Sequence, residues 1–170
     1  MNKIGILALI EIISALSCGV VILFITYKGL KYLAIKRYGI ERNNLAYSIF
    51  MAGVLLSVGI MMSGVIDPLL SVFRIISNQN NSFGSTILSF LGQGAIYIVI
   101  AYVSSIIIIA IGVSIYANLT PIDEFAEIKN NNLGVAIIVC VIIITLTLMC
   151  KDGVILLIES IVPYPELSPR

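Results

Sequence analysis

The chain has 170 residues, a formal net charge of +1, 59% hydrophobic residues and only 11% charged ones. A water-soluble domain carries about 25% charged residues, so this composition excludes a soluble globule and makes lipid the main solvent. The sequence holds no histidine, and it shows no nucleophile–base pair, phosphate loop or metal-ligand spacing, so neither an enzyme nor a bound cofactor or metal is expected.

Apolar stretches of about 20 residues are long enough to cross a ~30 Å hydrocarbon core as helices, and four can be read. The first covers residues 4–27 and is interrupted by Glu11. Lys3 precedes it, but no A-x-A site follows, which points to a retained helix rather than a cleaved signal. Glu11 has two readings. It is an intramembrane polar site, with Gln93 as hydrogen-bond partner, or a boundary residue of a span that begins deeper, over residues 12–32. The first connection is basic, with Lys28, Lys31, Lys36, Arg37 and Arg42 interleaved with Tyr27, Tyr32 and Tyr38. Beside a membrane this pattern points to anionic lipid and topology, not to nucleic acid.

The second span, residues 45–66, has no charge. Ala46, Gly53, Ser57 and Gly64 form a small-residue stripe along it that lets another backbone come close, within the monomer or at a subunit interface. Asp67 and Pro68 then read as the cap and first position of a short helix lying in the interface. A polar stretch, SNQNNSFGST (residues 77–86), links to the third span, residues 95–116. There Ala101 and Ser105 make a weaker small-residue pair.

Thr120 reads as an N-cap and Pro121 as the first helical position, followed by acidic Asp123, Glu124 and Glu127 near the helix start. This pattern predicts one continuous helix from 121 to about 150, ~45 Å long at 1.5 Å per residue. Glu124, Glu127 and Asn131 would share one side of it, with Arg42 as a basic neighbour, as a cytoplasmic recognition face. The three asparagines of IKNNN (residues 128–132) would mark headgroup depth ahead of the fourth span, residues 133–150. Lys151-Asp152-Gly153 would end that span, and VILLIESIV would form a second interfacial helix. Cys18, Cys140 and Cys150 lie in apolar segments and read as small packing residues.

Asn43-Asn44-Leu45 recurs 88 positions later as Asn131-Asn132-Leu133. The expected fold is therefore an all-α membrane protein of four transmembrane helices, arranged as two parallel helix-pair repeats with short interfacial helices. The repeats cover residues 1–76 and 87–170, with 77–86 as linker. The cationic bias of the first and third connections places them in the cytoplasm and both termini outside.

Leu119-Thr120-Pro121, Glu124-Phe125 and Ile128-Lys129-Asn130-Asn131-Asn132 together resemble the hallmark of YjfL-like bacterial inner-membrane proteins (domain of unknown function 350). The match is tight over residues 119–138. It is looser over residues 40–66, which lack the T-P and the acidic–aromatic pair. The fourth helix departs from the family's glycine-rich character. The resemblance implies a multi-helix inner-membrane protein built from this helix-pair unit, whose relatives tend to be encoded beside envelope-stress proteins. The expected function is a non-enzymatic sensor or anchor, a homo-oligomer that recruits a cytosolic protein partner in an envelope-stress or defence-type system. The alternative is an oligomeric ion channel or small-solute pore. Membrane lipid is the other expected partner.

Overall fold

In a computed structural model of the chain, residues 3–40, 44–79, 83–119 and 123–161 are described. The elements are α1 (Lys3–Leu33), which continues as a π-helical turn (Ala34–Tyr38), then α2 (Leu45–Ser63), α3 (Ile66–Gln79), α4 (Phe83–Leu119), α5 (Glu124–Lys129) and α6 (Leu133–Ile161). There is no strand among the described residues. Four segments are long and apolar enough to cross a membrane: Ala15–Lys36, Leu45–Val72, Gly94–Leu119 and Leu133–Ile161. The chain is all-helical with multi-pass membrane character.

Leu45 and Leu133 open their spans where the sequence put them; the other boundaries shift. The first span lies deeper than residues 4–27, and most of the basic connection is helical. Lysine is a good helix former, so charge alone does not stop α1. The stop comes at Gly39, whose φ of 61° is left-handed, with the Ile40 amide donating to the Ala34 carbonyl at 3.1 Å. Glycine takes this conformation without a Cβ penalty.

Asp67 does not cap a separate helix. The break lies earlier, at Gly64–Val65, and α3 already begins at Ile66. Pro68 has no N–H to offer the Gly64 carbonyl four residues back, so the α-helical ladder must lapse there. Ser77–Gln79 close α3, and Phe83–Thr86 begin α4, so the polar stretch is largely helical too. Finally, Lys151-Asp152-Gly153 do not end the fourth span: α6 runs unbroken to Ile161. An isolated glycine costs a helix only about 1 kcal/mol, and the Lys151 stem lies against α2 at Gly64.

The centre of the bundle is α6, packed on α2 and on α4. A Cβ placed on Gly53 would lie 2.5 Å from Cys140 Sγ and 3.1 Å from Cys140 Cα; one on Gly64 would lie 2.5 Å from Ile155. Contacts that advance together along both helices mean α2 and α6 run parallel. On the other flank, a Cβ on Gly112 would lie 2.7 Å from Ile143, where α4 approaches α6. Val58, Met61, Tyr97, Ala101, Val139 and Ile143 have no exposed surface. Between lipid-solvated helices such close fits carry association, because water release contributes little. By contrast, α1 is peripheral, with Val20, Val21 and Ile25 all more than half exposed.

Candidate functional site

Every helix end leaves unsatisfied backbone groups: amides at the start and carbonyls at the finish. At the end of the bundle where α2 and α6 begin, the asparagines fill these vacancies. The helix predicted from 121 to about 150 is broken there. Thr120 and Pro121 lie outside the described residues, and α5 starts at Glu124 with Asp123 as its cap, Oδ1 accepting from the Ala126 amide at 3.1 Å. It ends in a Schellman turn: Asn131 N–H donates to Ile128 O at 3.0 Å and Asn132 N–H to Glu127 O at 2.9 Å. Asn131 occupies the left-handed position with φ 63°. Asparagine is the commonest substitute for glycine there, which is why a sequence without a glycine at this point still turns. Asn132 then caps α6, Oδ1 accepting from Gly134 N at 3.1 Å.

The two halves of the chain exchange amides across this turn. Asn44 caps α2 through Oδ1, which accepts from Tyr47 N at 2.7 Å. Its Nδ2 donates to two carbonyls at the end of α5, that of Ile128 at 2.6 Å, which also accepts from the Asn131 amide, and that of Lys129 at 3.0 Å. In return, Asn131 Oδ1 accepts from Ala46 N, an open amide at the start of α2, at 3.0 Å. Each asparagine thus serves its own helix end and the other's.

An aromatic clamp closes the outside of this junction. Tyr38 of the π-helical turn stacks on Phe125 of α5, with centroids 4.2 Å apart and planes 12° from parallel. Phe50 of α2 meets the same ring edge-on at 6.1 Å. Glu124 turns inward beside Ile128 and is 5% exposed; its Oε1 is buried with no hydrogen-bond partner. Two hydroxyls deeper in the bundle, Ser57 Oγ and Ser105 Oγ, are also buried without a partner, whereas Thr147 and Thr26 bond carbonyls of their own helices.

The residues singled out in the sequence are therefore distributed as follows. Ala46, Gly53, Ser57 and Gly64 all face α6 or the bundle interior. Glu124, Glu127 and Asn131 come together at the junction but do not offer one free face: Glu124 is buried, Glu127 Oε2 accepts from Asn132 Nδ2 at 2.8 Å, and Asn131 is bonded to α2. Arg42 lies outside the described residues. Glu11 and Gln93 lie on α1 and α4, and their side chains are outside the described set; Glu11 precedes the Ala15–Lys36 span. The residue not singled out was Asn44. Its signal was present, since an asparagine directly before an apolar run marks a helix start.

Residues 89–160 match the family model DUF350, a Domain of Unknown Function. No curated protein and no solved structure matches the chain.

Proposed function

We propose that this chain, whose residues 89–160 match the DUF350 family model, is a non-enzymatic protein of the bacterial inner membrane. In this reading it is a homo-oligomeric sensor or anchor that recruits a cytosolic protein in an envelope-stress or defence-type system. One observation carries the reading. The short helix α5 is bolted to α2 by the exchanged asparagine amides, and it holds exposed Asp123, Ala126, Lys129 and Asn130 on a fixed frame. A rigid polar platform at one end of an apolar bundle suits recognition by a soluble partner, because little order has to be imposed on binding.

Topology follows the same reading, with the α5 end in the cytoplasm and both termini outside. Two parallel helix-pair repeats are supported by Asn44 and Asn132, which cap α2 and α6 at sequence positions 88 apart, and by the parallel packing of those helices. The part of α3 beyond Val72 leaves the Leu45–Val72 span and would lie in the interface.

Photo-crosslinkers at Ala126 and Asn130 in living cells test the proposal. A soluble protein captured there, and lost on the double charge reversal Glu127→Lys with Lys129→Glu, is the expected result. No capture, together with ion flux through liposomes holding the purified chain, overturns it in favour of the pore.

A further inference from the structure

Helix α1 meets the bundle along one side only. Ile22 is 7% and Thr26 3% exposed, and Thr26 Oγ1 lies 3.2 Å from the Tyr102 hydroxyl of α4. The outward-facing arc of this end of the helix and of the π-helical turn carries Phe24, Tyr27, Lys28, Tyr32 and Lys36, all exposed, and the half-buried Lys31. They form three pairs with the same spacing, each a ring followed four residues later by a lysine. Every ammonium sits over its own ring: Lys28 at 4.6 Å from Phe24, Lys31 at 5.8 Å from Tyr27 and Lys36 at 4.9 Å from Tyr32. Lys36 Nζ also donates to the Tyr32 hydroxyl at 2.6 Å. The rings themselves are open, Phe24 56% and Tyr32 59% exposed.

These cations occupy the last turns of a candidate membrane span, Ala15–Lys36, on the side turned away from the protein. Among the described residues none of the three has a carboxylate partner. An ammonium facing hydrocarbon is costly, so this end of the span must itself lie in the headgroup layer, where lysine stems cover apolar surface and aromatic rings also settle. There the missing negative charge is supplied by phosphate. Each ring holds its ammonium in place and so removes part of the ordering cost of contact. We propose that this face of α1 is a docking surface for anionic phospholipid headgroups. The face belongs to a candidate membrane span, which a soluble acidic protein or a nucleic acid does not enter. This inference does not depend on partner recruitment at α5, and the experiment below requires no cytosolic protein.

The test is native mass spectrometry of the full chain from nanodiscs of phosphatidylcholine with or without phosphatidylglycerol. The unaltered chain should retain phosphatidylglycerol selectively and release it as salt rises. Lys28→Gln, Lys31→Gln and Lys36→Gln combined should bind it on the order of a hundredfold more weakly, about a fivefold factor per lysine. The corresponding triple arginine variant should retain it, and circular dichroism should show both variants helical. Equal retention by the glutamine variant overturns the proposal. So does equal retention of phosphatidylcholine, salt-insensitive binding by the unaltered chain, or displacement by inorganic phosphate at millimolar concentration, which would mean a free-anion site.

Discussion

Asn44, Asn131 and Asn132 are one residue type in three different roles, and substitution should separate them. Asn44→Ala removes a cap and two bonds to α5 carbonyls, leaving that of Ile128 with only the Asn131 amide, a loss of about 2–3 kcal/mol from the cap and buried-bond terms together. Asn132→Ala removes an exposed cap and an exposed bond to Glu127, and should cost about 1 kcal/mol. Asn131→Gly keeps the left-handed turn but opens the Ala46 amide, which places it between them. Unfolding in mild detergent should return this order, and equal effects at Asn44 and Asn132 would contradict the amide exchange. Glu124 should behave in the opposite sense. A carboxyl oxygen shut from water without a partner is unfavourable, so Glu124→Met should leave the melting temperature unchanged or raise it, while Glu124→Lys should lower it.

Among elements, the α2–α6 contact is the tightest, and its glycines are not equivalent. A side chain at Gly53 meets the Cys140 backbone as well as its sulfur, so neither rotamer change nor small adjustment can make room. Gly53→Leu should cost several kcal/mol, as over-packing of a close-fitted core does, about 1–3 or more. Gly153, also helical, has nothing within 4 Å of its Cβ position, and Gly153→Ala should stabilise by about 0.5–1 kcal/mol. Thermal unfolding of the two variants checks the contrast. Because the stripe on α2 is occupied by α6 of the same chain, Gly53→Leu should lower the stability of a single copy. Native mass measurement that finds intact monomers and a lost oligomer would instead assign the stripe to the subunit interface.

For the whole molecule, the proposed orientation predicts that a reporter fused after Arg170 works only outside the cytoplasm. A fusion active in the cytoplasm would invert it. Four spans were legible because each keeps its apolar character for about 20 residues, and the starts at Leu45 and Leu133 were legible because polar asparagines border them. Three features were not. The length of α1 was hidden because lysine is a good helix former whose charge resembled a loop. The run of α6 through Lys151-Asp152-Gly153 depends on the packing of Lys151 over Gly64, two positions far apart in sequence. The turn at Asn131 depends on an asparagine standing where glycine is usual, beside two others that hid it. The same cluster concealed the junction: its amides were legible as polar residues at a boundary, but which carbonyl or amide each one meets is decided by the other half of the chain.

That last dependence also sets an order of events during synthesis. Asn44 and the carbonyl of Lys129 are 85 positions apart, which at 5–20 residues per second is roughly 4–17 s of translation. Throughout that interval the nascent α1–α2 hairpin sits in the membrane with the amide of Asn44 and the backbone N–H of Ala46 served only by water or lipid headgroups. The hairpin reaches its finished form only when the α5 turn emerges and supplies the complementary groups, so the second half of the chain acts as the fastener for the first.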